Sequence, residues 1–222
     1  MSNASEVFEA IKSGEVDKVR ALIEADPALV NAKDEAGNSA ILLATYYGRK
    51  AIVDVLRAQG AHTSIFEAAA AGDFERVRAW VEDDASLVNA FAHDGHTPLG
   101  LASFFGHADI AEYLLSKGAE VNVASQNRMK VTPLHSAVAG RHIGVVKALL
   151  EHGADVNAVQ QDGFTPLHGA AQNGQEEMVL LLLSYGADID SRSANGQSAL
   201  NIAEAEGHGV VAELLRRQGA LD

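Results

Sequence analysis

The chain has no cysteine, and that absence removes a disulfide framework, a thiolate metal site and a cysteine nucleophile together. Proline is scarce, at four residues, and there is no long polar tract, so no flexible linker is expected. Apolar runs such as Met178 to Leu183 fall far short of a bilayer span. The first residues, Met1-Ser2-Asn3-Ala4-Ser5-Glu6, lack the basic and apolar segments of a secretory signal. The cytoplasm is therefore the default location. Positive charge is also the minority sign: 17 basic residues face 30 acidic ones, for a formal net charge of −13. Such a surface repels nucleic-acid phosphates and anionic membranes, and it favours basic patches on a partner. No Gly-x-Ser-x-Gly phrase, phosphate loop or paired-carboxylate signature offers chemical machinery.

What the chain does have is rhythm. Gly118-Ala119-Glu120-Val121-Asn122 returns as Gly153-Ala154-Asp155-Val156-Asn157 and again as Gly186-Ala187-Asp188-Ile189-Asp190. The leading glycines are 35 and then 33 residues apart, and a clipped Gly219-Ala220 closes the series. Thr97-Pro98-Leu99-Gly100, Thr132-Pro133-Leu134-His135 and Thr165-Pro166-Leu167-His168 keep the same beat, with Ser198-Ala199-Leu200-Asn201 as a degenerate copy. In the first half, a shift of 58 residues aligns Phe8-Glu9-Ala10 with Phe66-Glu67-Ala68 and Leu29-Val30-Asn31-Ala32 with Leu87-Val88-Asn89-Ala90.

Each beat reads as a pair of short helices. In the unit beginning near Phe164, Asp162-Gly163 suits a tight turn. Thr165 is an N-cap, and Pro166 sits at the first helical position, where a missing N–H costs nothing. Leu167, Ala170 and Ala171 make one apolar face, and Gly174 ends the helix in a left-handed conformation. A second helix follows from about Gln175 to Ser184. One such pair cannot bury its apolar face alone, so neighbours must stack. Ala102, Ala137, Ala170 and Ala203 are small enough to let first helices approach closely. Polar outer faces at both ends (Glu6, Lys12, Glu15 and Lys18; Glu204, Glu206, Arg216 and Arg217) read as caps of a complete array.

The period and the Thr-Pro-Leu-His phrase resemble those of ankyrin repeats, over about residues 5 to 221. The resemblance implies an all-α ankyrin-repeat solenoid of about seven helix-turn-helix units with short β-turn loops, forming one domain over residues 1–222. The units lie near 5–37, 38–62, 63–95, 96–130, 131–163, 164–196 and 197–222. Phrases such as Asp26-Pro27-Ala28-Leu29-Val30-Asn31 are similar to bacterial members of the family. Two departures stand out. The third unit lacks its turn, because Gly60-Ala61-His62-Thr63 runs almost directly into Ile65-Phe66. The turn before Thr132 is two residues longer and has no glycine, so it is expected to project and be mobile.

The resemblance also implies a function: binding a protein partner along the turn tips and the exposed side of the first helices, without catalysis or a cofactor. A monomer is expected, with neither nucleic acid nor membrane as partner. The tips include Glu35, Ala36 and Asn38, then His93, Asp94 and His96, then Gln126 to Lys130, then Gln161, Asp162 and Phe164, and finally Ala194, Asn195 and Gln197. Late in the first helices stand Tyr46-Tyr47, Phe104-Phe105, Gln172-Asn173 and Ala205-Glu206. The four aromatics are candidate anchors, since exposed rings with a polar rim mark binding hot spots. Filling the gap of the missing turn as core is their alternative role. Arg128, Lys130 and Arg141 form a basic spot, with Met129 between the first two. The candidate partner-binding set is therefore Tyr46, Tyr47, His93, His96, Phe104, Phe105, Arg128, Met129, Lys130, Arg141, Phe164 and Gln172. A small-molecule or nucleotide sensor using the aromatic groove is the rival reading, and a closed pocket near Tyr47 and Phe105 would favour it.

Nine histidines raise the question of metal. The resemblance makes His135 and His168 structural, bonded to their threonines and to neighbouring loops. His107, His142 and His208 open second helices, again a repeat position. His93 and His96 share a tip, but nothing completes a ligand set. Gly207-His208-Gly209 loosely fits a dinucleotide motif, yet no strand precedes it and no downstream acid has room.

Overall fold

The computed structural model describes residues 3–221. The protein is all-α, with fourteen α-helices among the described residues arranged as stacked helix pairs. It forms two compact units that divide between Trp80 and Val81. In the first unit, α1 (Asn3–Ser13), α3 (Ala40–Tyr46) and α5 (Ile65–Ala71) pack in a row. Helices α2 (Val16–Ala25) and α4 (Lys50–Ala58) pack on one another in a second row, and the residues of α6 (Phe74–Asp83) fall on both sides of the division. In the second unit, α7 (Pro98–Phe105), α9 (Pro133–Ala139), α11 (Pro166–Gln172) and α13 (Ala199–Ala205) form the first row. Helices α8 (Ala108–Ser116), α10 (Ile143–Glu151), α12 (Glu176–Ser184) and α14 (Gly209–Arg217) form the second. Among the described residues no helix is long and apolar enough to cross a membrane.

The helices start where the sequence asks them to. Thr97 accepts from the Gly100 N–H at 3.1 Å, with Pro98 at the first helical position. Ser64 and Glu67 form a reciprocal cap on α5, the Ser64 N–H donating to the Glu67 carboxylate at 2.7 Å. The rows meet through residues that are almost completely buried, including Leu99, Leu134 and Leu167. Ala102, Ala137, Ala170 and Ala203 are equally buried, which is what close helix approach needs.

Backbone hydrogen bonds alone do not join one repeat to the next. Asparagines ending each repeat bridge to its successor. Asn122 donates through Nδ2 to the Gly153 carbonyl at 3.1 Å and accepts through Oδ1 from the Asp155 N–H at 2.8 Å. Asn89 does the same with Gly118 and Glu120, and Asn157 with Gly186 and Asp188. In the first unit the Asn31 Oδ1 accepts from the His62 N–H at 2.8 Å. Asn89, Asn122 and Asn157 thus each satisfy a carbonyl that helix geometry leaves over at the end of a second helix, together with an N–H of the segment that follows it. Asn122→Ala should lower stability by about 1–2 kcal/mol, since two solvent-accessible hydrogen bonds go together. Urea unfolding of both forms checks this, and Asn122→Asp, which keeps only the acceptor, should fall between them.

Where the third unit lacks a turn, a tryptophan takes over. Trp80 Nε1–H donates to the Thr63 carbonyl at 2.9 Å, holding the start of α5. Arg57 donates to the Ala71 carbonyl at 2.7 Å, holding its end.

Candidate functional site

Four of the turns close with one backbone bond across five residues. Asp34 N–H meets the Asn38 carbonyl at 2.9 Å, Ala92 meets His96 at 2.8 Å, Gln160 meets Phe164 at 2.9 Å, and Ser193 meets Gln197 at 2.9 Å. The turn before Thr132 closes across seven, from Ser125 N–H to the Val131 carbonyl at 2.8 Å. Its extra length does not leave it loose. Gln126 N–H donates to the Gly95 carbonyl at 2.9 Å, and Asn127 Nδ2 donates to the Asp94 carbonyl at 3.0 Å. On the other flank Gln161 N–H donates to the Met129 carbonyl at 3.0 Å, and beyond it Ala194 N–H donates to Asp162 at 2.7 Å. The tips of the second unit are thus laced into a row, and the long turn is tied on both sides.

Beneath the tips, buried histidines repeat the lacing. The Thr132 N–H points at His135 Nδ1 at 3.4 Å, so that nitrogen is the acceptor and Nε2 carries the proton. Nε2–H then donates to the Phe164 carbonyl at 3.2 Å. His168 stands likewise between Thr165 and the Gln197 carbonyl, at 3.0 and 3.1 Å. Burial pushes the His135 imidazole down to about 4, against the partial opposition of its bond to Phe164. Burial lowers His168 as well. Both rings are therefore neutral structural struts at neutral pH.

In three repeats the residue before the second helix reaches back a full repeat. Arg49 donates to the Lys12 carbonyl at 3.2 and 2.5 Å, Gln175 Nε2 donates to Val138 at 3.1 Å, and His208 Nε2 lies 3.0 Å from the Gln172 carbonyl. These carbonyls lie in the last turns of first helices, where the regular helical bonding runs out. His208 and the Gly207-His208-Gly209 turn thus have a scaffold role, as His135 and His168 do. Among the described residues no group of three or more His, Asp or Glu side chains gathers to hold a metal ion.

The candidate partner-binding residues divide between the units. In the first, Tyr46 and Tyr47 end α3 with 43% and 48% of their surface exposed. In the second, Phe104 is 40% exposed and Phe105 is half-buried against it, edge to face at 5.1 Å. Met129 is 51% exposed at the tip of the long turn. Arg128, Lys130, Arg141, Gln172 and His93 are exposed. His96 and Phe164 are half-buried. His96 meets the Asn127 amide at 3.2 Å, and the Phe164 ring leans on His168 at 5.2 Å. A cleft of about 520 Å³ in the first unit is walled by residues of α1 and the first turn, among them Phe8, Glu9, Lys12 and Asp34. Neither Tyr47 nor Phe105 lines it.

Two backbone exceptions lie in this region. First helices end on a left-handed glycine in six repeats: Gly14, Gly48, Gly72, Gly106, Gly174 and Gly207. In the repeat of α9 that residue is Arg141, at φ +64°. Turns carry a left-handed glycine at Gly37, Gly95, Gly163 and Gly196, but the long turn has Lys130 there, at φ +51°. A Cβ makes this conformation unfavourable by about 1 kcal/mol at each position. Asp162 also has positive φ, but aspartate tolerates it better than lysine or arginine does.

Sequence comparison adds to this geometry. The family profile described as ankyrin repeats (three copies) matches residues 65–160 and 155–221. The chain is 41% identical over 81 residues to the serine/threonine-protein kinase VIK of Arabidopsis thaliana, covering 36% of this chain and 18% of that protein. It is 29% identical over 179 residues to an ankyrin repeat protein of Acanthamoeba polyphaga mimivirus, covering 72% of this chain and 23% of that one. An ankyrin repeat protein of Rickettsia felis shares 45% over 58 residues, 26% of this chain and 25% of its own. The chain thus spans a quarter or less of the length of these relatives.

Proposed function

Since the chain belongs to the ankyrin-repeat family, we propose that it is a non-catalytic module that binds a protein partner, with Phe104 as an anchor on the second unit. The observation that carries this reading is the exposed Phe104 ring braced edge-on by Phe105. The same place in the α11 repeat holds the polar pair Gln172-Asn173. A large ring held in water by a second ring gains most when a partner covers it. Tyr46 and Tyr47 offer a similar exposed pair on the first unit. Ankyrin-repeat domains are in general protein-interaction modules, and the structural roles found for the buried histidines leave them with no chemical task.

The small-molecule reading asks for an enclosed aromatic pocket, and the walls of the cleft in the first unit do not include the rings concerned. The binding reading is tested by affinity capture from the native cell with the wild-type chain and a Phe104→Ala, Phe105→Ala variant side by side. The variant should retain its helical circular dichroism and recover its principal partner about tenfold more weakly. Equal recovery by both forms would remove the rings from the binding surface.

A further inference from the structure

We propose that Lys130 and Arg141, with Arg128 beside them, form a carboxylate-binding site for an extended acidic segment of the protein partner, an inference that rests on the binding function above. At one first helix, α9, and there alone among the described residues, the left-handed glycine of the preceding turn and the left-handed glycine after the helix are both replaced by basic residues. Neither replacement helps the backbone, since lysine and arginine are disfavoured where glycine is at ease. Nor does either side chain repay the fold through an ion pair. Among the described residues Arg128, Lys130 and Arg141 take part in no ion pair, although acidic residues outnumber basic ones by 30 to 17. All three are exposed. Strain kept at two places to hold unpaired, solvent-facing cations points to a use outside the fold.

The spacing says what kind of ligand fits. Lys130 precedes α9 and Arg141 follows it, so the two cations bracket a seven-residue helix about 10 Å long. Ala139, near the end of that helix, is exposed and offers no bulk. Gly140 lies against the Phe104 carbonyl, which brings the Arg141 end beside the backbone of the residue that carries the exposed ring. An extended chain advances about 3.3 Å per residue, so carboxylates about four residues apart would reach both cations, and an apolar side chain near one of them could lie on Phe104. The platform is held in place. The carbonyl of Met129 is bonded to Gln161, and the Arg128 Nε lies 3.2 Å from the Gln161 side-chain oxygen when that amide faces it. A long polyanion such as nucleic acid would meet the surrounding negative charge, whereas a short acidic segment fits within the basic island.

The test uses the full chain and a fluorescein-labelled peptide in which two glutamate pairs, about four residues apart, flank leucines. The same peptide with glutamine in place of glutamate and a thymidine oligonucleotide of equal length serve as comparisons. The wild-type chain should bind the glutamate peptide in a salt-sensitive manner, and it should bind both comparison ligands at least about tenfold more weakly. A Lys130→Gly, Arg141→Gly variant should lose about tenfold in peptide affinity, while its melting temperature stays level or rises by about 2–4 °C as strain is relieved. Any of four results overturns the proposal: no peptide binding by the wild type, equal binding by the variant, preference for the oligonucleotide, or a fall in the variant's melting temperature. If native partner capture is lost in the Phe104→Ala, Phe105→Ala variant but kept in the double-glycine variant, the acidic-segment assignment fails and the binding function stands.

Discussion

Acidification from pH 7 to pH 4 should lower the unfolding free energy by about 3 kcal/mol through His135 alone. The imidazole is held near a pKa of about 4 in the folded chain and rises to the ordinary value of 6.5 when the chain unfolds. Between those values the unfolded chain binds the extra proton and the folded chain does not. The neutral ring's contribution is therefore complete above about pH 6.5 and is lost as the pH falls toward 4. The structural reason is the direction of its bonds. Nδ1 receives the Thr132 N–H while Nε2–H reaches the Phe164 carbonyl, so a second proton on Nδ1 would face a donor in a buried site. His168 shifts in the same direction and adds to the effect. Asp34 also loses stabilisation in acid: burial raises its pKa, but hydrogen bonds from Asn38 and Ala36 outweigh that and bring it down. A substitution is therefore needed to isolate the histidine. The protein supplies one, for Asn201 accepts from the Ser198 N–H at 3.2 Å at the equivalent place on α13. His135→Asn should retain the cap, lose stability at pH 7, and show a pH dependence shallower than the wild type's by about 3 kcal/mol across this range. Urea titrations at pH 7, 5.5 and 4 would measure it, and parallel pH profiles for the two proteins would refute the assignment.

The histidine strut was legible only through the family resemblance, which makes that position structural. What the spacing itself conveys is the helix start, because Thr132 and Pro133 act on adjacent residues. Asn122 and Asn157 were visible as repeated letters in the Gly-Ala-x-Val-Asn phrase, but their work is done across 31 and 33 residues and across 29 and 31, respectively. Periodicity says that such a residue recurs; it does not say which carbonyl it meets. The backward reach of Arg49, Gln175 and His208 is hidden further, because three different side chains perform one task. The turn of residues 125–131 shows the opposite difficulty. Its length and lack of glycine suggest a free loop, while the bonds that tie it come from Gly95 and Gln161 on neighbouring turns. Trp80 gave no sign that it would hold the start of α5, since nothing in its own helix repeats that role. The aromatic pairs were readable as an oddity of position, but their exposure depends on packing that the sequence does not display.

Gly95→Ala should destabilise the protein by about 3 kcal/mol, whereas Gly37→Ala should cost only about 1 kcal/mol. The two glycines occupy the same turn position with almost the same backbone, at φ +83° and +85°. A methyl group at either meets the same left-handed penalty. Around Gly37 a Cβ would have nothing within 4 Å. Around Gly95 it would lie 2.7 Å from the Asn127 nitrogen and 2.9 Å from the Gln126 carbonyl carbon, both backbone atoms that cannot swing aside. The difference between the variants thus reports the cost of pushing one turn off the next. That push falls on the bond from Gln126 N–H to the Gly95 carbonyl, which carries the first half of the long turn. Because Arg128, Met129 and Lys130 follow directly, Gly95→Ala should also weaken partner binding, and Gly37→Ala should weaken it less. Thermal melts and capture assays on the two variants decide the matter. If both lose the same stability, the turns yield to one another freely. In that case the row of tips is a set of independent loops, and the fixed spacing between the cations and the Phe104 ring has no support from the backbone beneath it.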